Sequence, residues 1–178
     1  MKPLNGVKVI DLTHMLAGPY AGMVLADLGA EVVKVEPLGS GEMTRGLLKN
    51  DPNYSFKNFG AYFLTLNRNK KSVSIDLKNK KGLEVFYDLV RSADVVLNNF
   101  SAGVVSKLKI DFENLSSINP KIITCSITGF GETGPHSTRP ASVSYTHLRA
   151  HETPEHGVCR LLGEKKKGGG GGGGGGGG

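Results

Sequence analysis

The segment Thr13–Pro19 has the residue types of a ligand-binding loop. It lies between two short β-branched runs, Val7–Asp11 and Val32–Val35, and leads into a helical pattern whose first turn can hold Pro19. A loop between a strand and a helix N-terminus presents backbone N–H groups, so this position suits a phosphate or an adenine-ribose group. The loop is not a G-x-G-x-x-G motif, however, and many parallel α/β domains open with such a unit and bind nothing there. Spacing alone leaves both interpretations open.

Six basic residues in one central segment favour an anionic ligand. They are Arg68, Lys70, Lys71, Lys78, Lys80 and Lys81. The whole chain has a formal net charge of +6, of which residues 143–178 carry +2 through five basic and three acidic side chains. No aromatic residues alternate with the basic cluster, as they do in proteins that bind single-stranded nucleic acid. We therefore expect an anionic small molecule as the partner, and no nucleic acid.

The C-terminal segment, residues 143–178, differs in character from the rest of the chain. His147 and His151 lie four residues apart, with His156 and Cys159 close by, and a Zn²⁺ ion could use this spacing. The chain then ends in a lysine run and an unbroken glycine run, as homopolymeric A and then G nucleotides would encode. Polyglycine cannot fold, because glycine loses the most backbone entropy and has no side chain to bury. We expect a disordered, non-native tail that holds no metal.

The elements that position the loop and the basic cluster alternate between strands and helices along residues 1–142. Besides the two runs already named, apolar runs predict strands at 72–77, 94–97 and 121–127. Helical spacing predicts helices over 19–28, 83–92, 101–108 and 112–118, the last capped by Asp111. A parallel sheet covered on both faces accommodates this order. The predicted fold class is therefore α/β, with a doubly wound, mostly parallel sheet.

Composition is that of a water-soluble globular protein, with 38% hydrophobic and 21% charged residues. No apolar run is long enough to span a bilayer, and Met1–Asn5 leads directly into a strand, so we expect a cytoplasmic protein without a membrane partner. Two cysteines give no disulfide framework, and Cys125, in an apolar run, is expected to be buried. The five aromatic residues between Tyr54 and Phe63 are expected to pack beneath the preceding loop.

Four sequence blocks occur in a recognisable order. The first is PLNGVKVIDLTHMLAGPYAGMVLADLGAEVVKVEPLGSGEMTR, and it is followed by NRNKKSVSIDLK, ADVVLNNF and NPKIITCSITGFGETGP. Together they resemble the class III CoA-transferases, the family of formyl-CoA transferase and carnitine CoA-transferase, over residues 3 to about 142. The resemblance implies that residues 1–142 are the N-terminal CoA-binding region of a fold in which two chains interlock as linked rings. The full-length parent would accordingly be a homodimer.

The resemblance also implies a reaction, the transfer of CoA from an acyl-CoA to a free carboxylic acid. An enzyme aspartate attacks the thioester and forms an anhydride and then an enzyme thioester. In the family this aspartate follows the GFG-x-x-GP block, where this chain has its tail, and Glu152, Glu155 and Glu164 lie there without a motif around them. We therefore assign no catalytic residue. Coenzyme A and acyl-CoA are expected as substrates, and no cofactor is expected to be bound covalently.

The resemblance implies eight CoA-lining residues. They are His14, Met15, Ala17, Ile75, Lys78, Asn99, Phe100 and Lys107. Pro37 stands where the family often has a basic residue that meets the adenine or a ribose phosphate. Each residue also has a structural alternative, since the two lysines could be solvated surface charges and Asn99 could cap a helix. His14 could equally be a structural hydrogen-bonding residue of its loop.

Two other functions remain open at this point. One is a 2-methylacyl-CoA racemase of the same fold family, although the NRNKKS block looks more like the transferases. The other is a non-catalytic module that binds CoA or a nucleotide. Since the resemblance stops near residue 142, we also expect the 178-residue chain to fold poorly and to be inactive when made alone, because a parallel sheet needs cover on both faces.

Overall fold

The computed structural model describes residues 2–137 and 139, together with the backbone of two short strands further along the chain. The chain divides into two compact units, Met1–Thr138 and Arg139–Gly178. The strands of the first unit are β1 (Lys8–Asp11), β2 (Glu31–Glu36), β3 (Ser55–Phe56), β4 (Phe59–Gly60), β5 (Lys70–Ser74), β6 (Val95–Asn98) and β7 (Ile123–Ser126). Its helices are α1 (Ala17–Asp27), α2 (Ala61–Leu66), α3 (Lys80–Arg91), α4 (Val104–Lys107) and α5 (Phe112–Ile118), with a 3₁₀ turn at Met43–Arg45. In the second unit, β8 (Val158–Cys159) pairs antiparallel with β9 (Glu164–Lys165).

Five strands of the first unit form one parallel sheet, in the order β5-β2-β1-β6-β7. The central strand β1 pairs with β2 on one side and β6 on the other, so that Val9 lies opposite both Val32 and Val95. From β1 the chain adds β2 and β5 on one side of the sheet, and it then crosses back to add β6 and β7 on the other side. This confirms the prediction of a doubly wound, parallel α/β sheet. A sheet of this order has a crevice at the carboxyl ends of its strands where the direction reverses, here between β1 and β6.

The two faces of the sheet carry two apolar clusters, because successive side chains along a strand point to opposite faces. On one face, Val9 and Val32 are buried with Ala26 of α1. On the other, Ile10 is buried with Phe86 of α3 and Leu115 of α5. Helices therefore cover both faces, as the apolar strands require. Within the described residues, no helix is both long and apolar enough to cross a bilayer.

The helix boundaries follow from local capping. The side chain of Asp111 accepts a hydrogen bond from the Asn114 N–H, which confirms its predicted role as the cap of α5. Helix α3 begins at Lys80, earlier than its apolar pattern indicates, because the Asn79 side chain caps it. Gly82 lies in the first turn, where a Cβ atom would come within 2.1 Å of the Asp76 carbonyl oxygen. The glycine therefore permits this close approach of helix and loop.

The strand β7 is exposed, contrary to its predicted burial. It lies at the edge of the sheet and pairs with β6 alone among the described strands. Ile123 is 61% exposed, and Cys125 is an exposed free cysteine. The prediction that Cys125 is buried is therefore wrong. An apolar run identifies a strand, but it does not indicate whether that strand lies inside a sheet or at its edge.

The aromatic segment between residues 54 and 63 is also more exposed than predicted. Tyr54, Phe56, Phe59 and Tyr62 all present substantial surface, on the β3–β4 hairpin and α2. Phe63 is half-buried, and its ring lies 3.8 Å from the Arg45 guanidinium carbon. Phe59 and Phe63 thus pack against the guanidinium group of Arg45 in the preceding loop, as predicted. Tyr54, Phe56 and Tyr62 are exposed, and for these three residues the prediction is wrong.

A buried ionic cluster joins three strands at the carboxyl end of β1. Asp11 is fully buried, and its Oδ2 accepts a hydrogen bond from Lys70 Nζ at 2.8 Å and lies 3.8 Å from Lys34 Nζ. The two lysines also donate to main-chain carbonyl oxygens, Lys34 to that of Thr13 in the following loop and Lys70 to that of Pro19 in the first turn of α1. One carboxylate and two ammonium groups therefore fix the loop and the start of α1 to the sheet.

We predict that Lys70→Met lowers the free energy of unfolding by about 3 kcal/mol, because removing one partner of a buried ion pair leaves the other uncompensated. The matched control is Lys71→Met, one residue along β5, whose ammonium group is 72% exposed and pairs with Glu31 at the surface. That change should cost less than about 1 kcal/mol. Urea unfolding of the intact protein measures both values, and equal losses would contradict the role given to the cluster.

Candidate binding site

The loop between β1 and α1 lies at the crevice where the sheet changes direction. Met15 has a φ of 67°, in the left-handed region that residues with a Cβ atom rarely adopt. The Met15 N–H donates to Oε1 of Glu42 at 2.8 Å. The loop therefore has a defined shape that side chains from outside it hold in place.

Asn99, which follows β6, holds the neighbouring residue of the loop. Its Oδ1 accepts from the His14 N–H at 2.9 Å, and its Nδ2 donates to the His14 carbonyl oxygen at 2.8 Å. Asn99 does not cap the next helix, because the N-cap of α4 is Gly103. The amide thus pairs with both main-chain groups of His14, whose ring centroid lies 5.7 Å from that of Phe100.

A second polar network lies beyond the end of β2. Arg45 donates to both carboxylate oxygens of Glu36, from Nε at 2.6 Å and from Nη2 at 2.7 Å. Ser72 Oγ and the Glu42 N–H also donate to Glu36. Burial alone would raise the pKa of Glu36, but the donors from Arg45, Ser72 and the Glu42 main chain outweigh it and lower that pKa to about 2. Glu36 is therefore a carboxylate at all physiological pH values.

A cavity of about 430 Å³ opens beside the loop. Its apolar wall includes Leu12, Val35, Ile75, Leu77, Phe100 and Leu108, together with Pro37 and Leu38. Its polar groups come from His14, Glu36, Asp76 and Lys78. Mostly apolar walls with a few polar groups are typical of small-molecule sites.

Four of the eight predicted site residues line this cavity, namely His14, Ile75, Lys78 and Phe100. Asn99 lies next to it and holds His14. The other three do not line it: Met15 is exposed on the loop, Ala17 is exposed at the start of α1, and Lys107 is exposed on α4 beside Leu108.

His14 has an unsatisfied group in this cavity region. Its Nδ1 atom is buried without a hydrogen-bond partner. Burial, assisted by the charge of Lys34, lowers the pKa of His14 below its ordinary value, so the ring is neutral at pH 7. A neutral imidazole with a free ring nitrogen can donate to or accept from a ligand.

A second cavity, of about 480 Å³, shares Glu36 with the first. Arg45, Lys49 and Ser72 line it together with the glycine-rich turn at Gly39–Gly41. Sequence reasoning did not identify Glu36 and its partner Arg45, or Glu42, whose carboxylate accepts from Met15 and Thr44. The available signal was charge within an apolar strand, since Glu36 ends a β-branched run.

The histidine cluster considered as a metal site falls outside the described residues, which include none of His147, His151 and His156. Cys159 lies in the short strand β8. In the part of the chain that the structure describes, no group of three or more His, Cys, Asp or Glu residues could hold a metal ion.

Comparison with known proteins identifies relatives of the part of the chain that forms the parallel sheet. The model of CoA-transferase family III matches residues 4–155. Succinyl-CoA:glutarate CoA-transferase of Mus musculus is 45% identical over 139 residues, which are 78% of this chain and 31% of that protein. Formyl-CoA:oxalate CoA-transferase of Afipia carboxidovorans is 46% identical over 130 residues, which are 73% of this chain and 30% of that protein. The chain therefore spans about a third of the length of these relatives.

Solved structures agree with the fold. A CAIB/BAIF family protein from Brucella suis matches with a TM-score of 0.72 and 44% identity, over 78% of this chain and 36% of that one. Rv3272 from Mycobacterium tuberculosis, in its orthorhombic form, matches with a TM-score of 0.76 and 38% identity, over 92% of this chain and 44% of that one. Because the family model matches most of the residues and these structures share the fold, the chain belongs to CoA-transferase family III.

Proposed function

We propose that this chain supplies the CoA-binding region of an enzyme that transfers coenzyme A from an acyl-CoA to a free carboxylic acid. The observation that carries the proposal is the cavity beside the loop, which brings His14, Ile75, Lys78 and Phe100 together in a chain of this family. The succinyl-CoA:glutarate and formyl-CoA:oxalate transferases among its relatives support a small carboxylic acid as acceptor.

The lining of the cavity suits the parts of CoA. Apolar side chains such as Ile75, Leu77 and Phe100 would pack against the adenine ring or the pantetheine chain. Lys78 would neutralise phosphate charge at the rim, and the free Nδ1 of His14 would bond a polar group of the ligand. Pro37, which also lines the cavity, offers apolar surface only.

The nucleophile in this proposal is an aspartate of the longer parent, outside residues 1–142, that forms an anhydride and then an enzyme thioester. The surroundings of the buried carboxylates in the described region support a nucleophile that lies elsewhere. Asp11 is held by Lys70, and Glu36 is held by Arg45 with a pKa of about 2. Carboxylates so fully engaged with donors are weakly basic and poorly placed to attack a carbonyl carbon.

The remaining features of the proposal concern assembly and location. We infer an interlocked homodimer for the full-length parent and a cytoplasmic location, with no cofactor bound covalently. Residues 143–178 are taken as a non-native tail without a role in the reaction. These inferences rest on the family resemblance and on the composition of the chain.

We predict that the full-length parent transfers CoA between an acyl-CoA and free carboxylic acids, with succinate, glutarate, formate and oxalate as the first acids to compare. Chromatography of the CoA thioesters measures the transfer, and hydroxylamine should trap a protein-bound acyl group. Loss of an α-deuterium label without any CoA transfer would instead identify a racemase. Binding of CoA without either reaction would identify a binding module.

We predict that Phe100→Ala weakens CoA binding by about tenfold, which corresponds to roughly 1.4 kcal/mol of binding free energy. The reason is that its ring forms part of the apolar wall and lies against His14. Phe112→Ala is the matched control, since Phe112 is exposed on α5 and does not line the cavity. Isothermal titration of the intact protein with CoA measures both, and an equal effect of the two changes would place the ligand elsewhere.

We predict that CoA affinity, corrected for protonation of the CoA phosphates, falls as the pH drops through the lowered pKa of His14. Burial favours the neutral ring, and a ligand that fills the cavity buries it further, so the neutral form binds better. NMR titration of the imidazole and CoA titrations at several pH values measure the two effects. His14→Gln, which does not titrate, corrects for protonation of the CoA phosphates. An affinity that rises on acidification only in the wild type would instead indicate a charged imidazolium bound to phosphate.

A further inference from the structure

Glu42 is a fully buried carboxylate that lines neither cavity. It follows the glycine-rich turn after β2 and lies 27 residues from its partner Met15 along the chain. Its Oε1 accepts from the Met15 N–H at 2.8 Å, and its Oε2 accepts from the N–H of Thr44 at 3.1 Å and from the Thr44 hydroxyl group. Burying a charged group in this way is costly unless its hydrogen bonds are made. All three of these bonds come from Met15 and Thr44, so the carboxylate ties these two residues together.

The bond to Met15 acts on the loop where its backbone is least favourable. Met15 has a positive φ of 67°, a conformation in which the Cβ atom crowds the carbonyl oxygen. Such a residue keeps this conformation only where its surroundings impose it. The buried carboxylate of Glu42 supplies a charge-assisted hydrogen bond to that residue's N–H.

The loop is thereby held from both sides of β1. Asn99, after β6, binds both main-chain groups of His14, and Glu42, after β2, binds the next N–H along the chain. Consecutive peptide groups are fixed by side chains from the segments that follow the two strands flanking β1. This arrangement sets the direction in which His14 enters the cavity.

The chemistry requires an acid and not its amide at position 42. The two oxygens together accept three hydrogen bonds, from two N–H groups and one hydroxyl group. A carboxylate accepts at both oxygens, whereas the amide of a glutamine has a donor at one of them. In Glu42→Gln, an NH₂ group would therefore face either the Met15 N–H or the donors of Thr44.

We infer that Glu42 is a positioning residue, which holds the loop in the conformation that presents His14 to the cavity and so sets the affinity for CoA. The part concerning CoA rests on the proposed function. Glu42 touches no ligand in this account and acts through Met15 alone.

The first experiment follows the Met15 amide group by hydrogen exchange in the ligand-free intact protein. In the wild type, this amide should exchange slowly although the side chain of Met15 is exposed, because its N–H is bonded to a buried carboxylate. In Glu42→Gln, exchange should accelerate at least tenfold. The control is Glu31→Gln, the same change at a surface-exposed acid of β2, which should leave the exchange unchanged. Rapid exchange of this amide in the wild type would overturn the inference even if Glu42→Gln does not fold.

The second experiment measures the dissociation constant of CoA in the wild type, Glu42→Gln, Met15→Gly and the double variant. Glu42→Gln should weaken binding about tenfold, corresponding to roughly 1.4 kcal/mol. Glycine adopts a positive φ without the Cβ penalty, so in the Met15→Gly background the same change should cost only about two- to threefold. An equal loss in both backgrounds would show that Glu42 does not act through Met15.

The two experiments separate this inference from the proposed function. A wild-type protein that fails to bind CoA, while its Met15 amide exchange still depends on Glu42, overturns the proposed function and the ligand part of the inference and leaves the positioning of the loop supported. Tight CoA binding that Glu42→Gln does not weaken overturns the inference and leaves the proposed function supported.

Discussion

The burial of Asp11 at the end of the central strand is the constraint on which the loop and the cavity depend. An isolated carboxylate could not be buried there, so Lys34 and Lys70 must reach it from the two strands on one side of β1. The same ammonium groups donate to the carbonyl oxygens of Thr13 in the loop and Pro19 in the first turn of α1. Helix α1 approaches closely because Gly22 faces the carboxylate, where a Cβ atom would lie 2.6 Å from Oδ2. Sheet, loop and helix are thereby joined at one charged centre.

The sequence predicts the fold because the strands are short β-branched runs and the helices have apolar residues at helical spacing. The run Val32–Val35 predicts a strand despite Lys34 within it, and Asp111 predicts a helix cap because capping is local. Burial was harder to predict. Whether Cys125 is covered depends on the position of β7 in the sheet, and that position is set by strand pairing over long sequence distances. Periodicity within one segment contains no such information.

The candidate site is predictable only in part, because local sequence blocks are recognisable whereas contacts between distant segments are not. Residues such as Ile75 and Phe100 belong to recognisable blocks and line the cavity. Glu36, Glu42 and Arg45 also belong to the first block. Their role depends on their hydrogen-bond partners, which sequence spacing does not reveal. Glu42 reaches Met15 because β1 and β2 are parallel neighbours. The segments that follow the two strands therefore leave the sheet at the same edge. Such a pairing follows only from the three-dimensional structure.

Three acidic side chains beside the loop are held by fixed hydrogen-bond donors. Asp11 and Glu36 are each paired with a basic group, and Glu42 accepts hydrogen bonds from main-chain and hydroxyl donors, so their negative charge is directed at fixed partners. The groups left available at the cavity are a neutral imidazole, the ammonium group of Lys78 and the carboxylate of Asp76, which accepts from the Lys78 N–H. Lys78 thus lies where it can offset the charge of Asp76 toward an anionic ligand. The hydrogen bonds that give the loop its shape also make these three carboxylates weak nucleophiles. Under the proposed function, attack on a thioester therefore needs a carboxylate with fewer hydrogen-bond donors around it.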